Sequence, residues 1–104
     1  MATMQMEKSQ SKRSRNARIS NYMEELAAGI LNDLLSTDFK GKRFSESAKQ
    51  DIKALALNRL WPMYTTSDAG RDFLKKVVAE DRVEQDIVRE LRAAISIVRS
   101  NPRQ

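Results

Sequence analysis

The chain has 104 residues, no cysteine and no histidine, and a formal net charge of +5. That length suits one modest domain. Without cysteine there is no disulfide framework or thiolate metal site, and without histidine the commonest general base, metal ligand and neutral-pH switch are gone, so hydrolytic or metal chemistry is not expected.

Residues 1–20 hold Lys8, Lys12, Arg13, Arg15 and Arg18 against Glu7, which is +4 of the net +5. A basic, Ser- and Gln-rich segment without periodicity reads as a disordered tail over residues 1–19. It is either a solubilising leader or a reach for a polyanion. Part of 13–18 is positioned to extend the first helix or fold over a bound anion. No apolar run approaches the roughly 18–20 residues that span a bilayer. The N-terminus has no apolar secretory core, so a cytoplasmic protein without a membrane partner is expected.

Asn21 and Glu24 have capping-box spacing, which predicts a helix start. Met23, Leu26, Ala27, Ile30, Leu31, Leu34 and Leu35 follow a helical period to about Ser36. A loop over 37–44 follows, with Lys40-Gly41-Lys42-Arg43 offering cations beside a flexible backbone. It suits phosphate, or simply solvent. Ser45 or Ser47 opens a second helix expected to end near Leu60.

Trp61 precedes Pro62, which pushes it toward extended geometry. Pro62 to Tyr64 is then an extended connector, and Thr65, Thr66 or Ser67 caps a third helix. Asp68 and Asp72 near its start and Lys75 and Lys76 near its end suit the helix dipole. Ala69, Phe73, Leu74 and Val77 make its expected apolar side. Asp81 with Glu84 suggests a break near 79–80, with one continuous helix as the alternative. The last helix is expected over about Asp81–Arg99, with Val83, Ile87, Leu91, Ala94, Ile95 and Val98 inward and Asn101-Pro102 as its stop. Arg82, Arg89, Arg92 and Arg99 share its outer side. Asp86 is spaced to pair with Arg82 and Arg89, while Arg92 and Arg99 have no acid at helical spacing. This is either a solvated face or a basic stripe.

These elements predict an all-α, four-helix domain over 20–100 with short loops, and a short C-terminal tail over 101–104. Generous apolar faces on the first and last helices, with Trp61 and Tyr64 beside a proline, point to a homodimer. No Gly-rich phosphate loop is present. Thr65-x-Ser67-x-x-Gly70 is too incomplete for a PilZ signature. A helix-turn-helix is disfavoured by the apolar Trp61–Tyr64 link and by two aspartates at the start of the third helix.

The stretch Asp51-Ile52-Lys53-Ala54-Leu55-Ala56-Leu57-Asn58-Arg59-Leu60-Trp61-Pro62-Met63-Tyr64 is unusual. On a wheel of about 100° per residue, Arg59 falls inside the arc of Ala48, Ile52, Leu55, Ala56 and Leu60. Such a cation either snorkels to water or waits for an anion. The stretch resembles the late-competence ComFB signature, D-I-x-A-L-A-L-N-x-L-P-P-x-Y. Asn21-Tyr22-Met23-Glu24-Glu25 resembles that family's N-x-M-E-E helix start, and Thr65 to Gly70 its polar turn. Together they cover most of 21–72. Two departures stand out. Many members carry cysteines before the central helix, where this chain has Lys42-Arg43-Phe44-Ser45-Glu46-Ser47, so metal binding is not carried over. Trp61 replaces the first proline.

The cysteine-free form resembles cyanobacterial members. What the resemblance implies is a small helical dimer, without catalysis, that binds cyclic di-GMP and passes the signal to a transcription regulator or other signalling protein. No cofactor is expected. Arginine suits phosphates and guanine edges, carboxylate and amide groups suit guanine donors, and aromatic rings stack on bases. The expected ligand-binding residues are Asp51, Lys53, Asn58, Arg59, Trp61 and Tyr64, with Arg13, Arg15, Arg18 and Arg43. The alternative is a nucleic-acid-associated or protein-interaction accessory module that uses the basic tail and the arginine stripe.

Overall fold

The computed structural model describes residues 18–101. In chain order they form β1 (Ser20–Asn21), α1 (Tyr22–Ser36), α2 (Glu46–Leu57), β2 (Tyr64–Thr65), α3 (Asp68–Glu80) and α4 (Val83–Ser100). Four helices dominate, as the periodicities predict. The two-residue strands were not expected. They pair antiparallel with Ser20 opposite Thr65 and Asn21 opposite Tyr64. Two residues are too few to show an alternating pattern, which is why the sequence gives no sign of them.

The core is made by α1, α2 and α4. Met23, Ala27, Leu31 and Leu34 meet Ile52 and Ala56 and, from α4, Ile87, Leu91, Ala94 and Ile95. On α1 and α4 these positions recur at three- and four-residue intervals, so each helix presents one apolar face. Their removal from water is the main driving force for the fold. α3 stands outside this cluster and buries only Val78. Half-buried Gly70, Arg71, Leu74 and Val77 set its phase. Phe73, expected on the inner side, is 65% exposed, and Ala69 is exposed as well.

The caps differ in detail from those expected. Asn21 does cap α1, but its Oδ1 accepts from the Met23 amide at 3.1 Å, not from Glu24, and from the Met63 amide at 2.8 Å. Tyr22 N–H donates to the Met63 carbonyl at 2.6 Å. One side chain thus starts α1 and fastens the Trp61–Met63 connector to it. Ser45 caps α2 through the Ala48 amide, and Ser67 caps α3 through the Gly70 amide.

α2 ends at Leu57, short of the expected Leu60, and residues 58–60 form a turn in which Arg59 N–H reaches Ala56 O at 3.0 Å. The break between α3 and α4 falls at Asp81–Arg82, not 79–80. Asp81 closes α3, and its expected role as the cap of α4 is taken by Arg82, which makes no side-chain cap bond. Arg82 is left-handed at φ 57°. That conformation suits the residue after a helix end, where glycine is usual.

Candidate functional site

The signature residues are laid out along α2 and the connector that follows. Residues 51, 55 and 58 recur at helical spacing, and Asp51 and Asn58 line a groove of about 340 Å³ closed by Ile97, Val98 and Asn101 at the end of α4. Lys53 is half-buried on α2.

Arg59 does not belong to the apolar arc. Because the helix stops at Leu57, its wheel position no longer applies, and its side chain is 72% exposed. It is not without an acid either. Arg59 Nε donates to Glu90 Oε1 at 2.9 Å, tying the end of α2 to the middle of α4. The Glu90 side chain is only 12% exposed, and Arg89 approaches its other oxygen at 3.5 Å. Nothing at helical spacing announces this pair, since 31 residues separate its members.

Beyond Arg59 the connector turns its rings outward. Trp61 is 88% exposed and Tyr64 60%. β1 runs antiparallel to β2, so the exposed Arg18, two residues before Ser20, leads toward the Ser67 side of the pair and away from Arg59 and Trp61. The turn after α2 exposes Arg59, Trp61 and Tyr64 within six residues, while the strand register carries Arg18 past the other end of the pair. Arg43 is not part of that exposed stretch. It lies before α2, in a groove with Lys42 and Lys49. The whole 12-residue helix separates it from Arg59, about 18 Å at helical rise. Arg13 and Arg15 lie outside the described residues.

The arginines of α4 are mostly claimed. Asp86 pairs with Arg89 at 3.0 Å. It has no pair with Arg82, whose backbone lies outside the helix, so the four-residue spacing no longer brings the two together. Arg92 bonds Asp38 across to the loop after α1, a partner that helix spacing did not offer. Hydrogen bonding and the positive charge of Arg92 hold the Asp38 carboxyl below its ordinary range. Arg99 sits 5.8 Å over the Phe39 ring. A basic stripe with free cations is thus reduced to a set of ties.

Arg71 was also missed by sequence reasoning. It donates to Glu25 at 2.6 Å and lies 5.4 Å over the Tyr22 ring, holding α3 on α1. The Glu25 hydrogen bond is the main reason its guanidinium is held even more firmly protonated. Its Nε is buried without a hydrogen-bond partner.

Among the described residues no three carboxylates gather as a metal site would need, and no helix is long and apolar enough to cross a membrane. What remains is a small helical domain presenting cations and aromatic rings. The family model for late competence development protein ComFB matches residues 20–102, and the chain belongs to that family. The solved structure of the late competence protein ComFB from Bacillus subtilis superposes with a TM-score of 0.74 at 17% identity, covering 84% of this chain and 94% of that one. At that identity the likeness is one of fold. No curated protein sequence matches the chain.

Proposed function

We propose that the chain is a non-enzymatic receptor for cyclic di-GMP, working as a homodimer and relaying ligand occupancy to a protein partner. The observation that carries this reading is the exposure of Arg59, Trp61 and Tyr64 within six residues of one another, in the family's signature stretch. A guanidinium reads a guanine edge or a phosphate in a forked pair of bonds, and open rings offer stacking faces. Asp51 and Asn58, on the neighbouring face, supply acceptors for guanine N–H groups. The ligand is two-fold symmetric, and a two-fold dimer would supply each of these groups twice. The absence of cysteine throughout supports placement with the cysteine-free, cyanobacterial-type members of the family.

Isothermal titration of the full chain with cyclic di-GMP tests the proposal, with GMP as control. Saturable heat at micromolar ligand, weakened at least about tenfold in Arg59→Ala, is expected. A steeply salt-dependent affinity for random duplex DNA without a response to cyclic di-GMP would favour the nucleic-acid alternative.

A further inference from the structure

The loop Lys40-Gly41-Lys42-Arg43 plays no part in the Arg59 surface, yet the fold builds it into a groove of its own. This groove, about 690 Å³, lies between the end of α1 and the start of α2. Lys42 and Arg43 enter from the loop, Lys49 from α2 and Asn32 from α1, and Leu35 and Phe44 contribute apolar surface. Among the described residues no acidic side chain lines it. By contrast, the grooves at Asp51 and at Tyr22 contain Asp51 and Glu84 respectively.

The cations are available. Lys42 and Arg43 form no ion pair among the described residues. Lys49 meets Glu46 at 3.2 Å, but that carboxylate is 82% exposed, and such pairs are weak. The loop is also held in place. Gly41 turns the chain at φ 87°, a conformation that favours glycine. Lys42 N–H donates to the Phe39 carbonyl at 3.0 Å. Phe39 and Phe44 pack edge to face with centroids 6.1 Å apart. Asp38, on the same loop, is tied to Arg92. The α2 N-terminus beside the groove adds its positive dipole end.

Three cations rule out a metal ion as the guest and select an anion. Arginine and lysine converging from two elements suit a phosphate. The apolar patch favours a ligand with a hydrophobic or aromatic body over a bare ion. We infer that this groove is a second binding site, independent of the Arg59 surface, for a small phosphate monoester carrying an aromatic body, of which a mononucleotide is the type.

The test uses the full-length ¹⁵N-labelled chain and follows its amide resonances during titration with AMP, inorganic phosphate, cyclic di-GMP or a short DNA duplex. AMP is expected to shift amides in 42–49 saturably and to bind more tightly than inorganic phosphate. The double variant Arg43→Ala/Lys49→Ala should weaken AMP by at least about tenfold, with its remaining spectrum unchanged. Lys42→Ala provides a second variant should the double one unfold. Arg59→Ala should leave AMP binding unaltered. Shifts that never saturate, or that scale with ionic strength for every anion, would overturn the site. Equal loss in Arg59→Ala, or displacement of AMP by cyclic di-GMP, would overturn its independence. DNA binding tighter than AMP at the same amides would overturn the small-ligand assignment.

Discussion

Arg59 has two claims on it. Its Nε holds Glu90, and its exposure leaves the rest of the guanidinium open to a ligand. The pair is exposed on the Arg59 side and largely buried on the Glu90 side, and Glu90 keeps Arg89 when Arg59 is removed. Arg59→Ala should therefore lower the melting temperature only slightly and leave the helical circular dichroism intact, while weakening cyclic di-GMP by at least about tenfold. Loss of the fold would make Arg59 structural. Glu90→Gln removes the internal competitor and should tighten ligand binding by up to about fivefold, as read by titration calorimetry. Unchanged or weaker binding would mean that Glu90 does not compete. Arg82 is a separate matter of backbone. A non-glycine residue in the left-handed region costs energy, so Arg82→Gly should stabilise the domain by about 0.5–1 kcal/mol, measurable as a higher urea midpoint.

At the scale of elements, Asn21 joins two segments through one oxygen. Asn21→Ala removes a cap and leaves the Met63 amide without its acceptor, a loss of about 1–2 kcal/mol. Hydrogen exchange should show the Met63 amide losing protection together with the first turn of α1. The Asp38–Arg92 tie carries a pH dependence. The carboxyl is lowered from 3.8 in the fold, so its contribution is fully present above that value and is lost as pH falls through the lowered one. Asp38→Asn should remove this acid-side loosening of the loop, followed through Arg92 or Phe44 resonances. The helices themselves were legible, because their caps and periodic leucines are local signals. The end of α2 was not. Asn58, Arg59 and Leu60 are all tolerated in a helix, so nothing local marks Leu57 as its last residue. The phase of α3 was misjudged for a related reason. Phe73 is the bulkier residue, but the geometry of docking buries Val78 instead.

Over the whole molecule, three helices enclose the core and α3 is held outside by Val78 and the Arg71 contacts with Glu25 and Tyr22. Long-range ties such as Arg59–Glu90, Arg92–Asp38 and Arg71–Glu25 were invisible in the sequence, since no spacing rule links residues 31 to 54 positions apart. Of these, only Arg59–Glu90 touches the candidate site. The motif places Arg59, Trp61 and Tyr64 in one exposed stretch, the strand register leads Arg18 away from it, and Arg43 is carried to the opposite end of α2. The exposed Trp61 and Tyr64 also suit an interface. Light scattering of the full chain is expected to give twice the mass of one chain, and Trp61→Lys to shift it toward one. A monomer that still binds cyclic di-GMP at one equivalent would remove the dimer from the account. The receptor claim itself is tested most directly by calorimetric titration of the unmodified chain with cyclic di-GMP at low salt. Saturable heat in the micromolar range, weakened at least about tenfold in Arg59→Ala and absent with GMP, is the predicted result. No heat at micromolar ligand would contradict it.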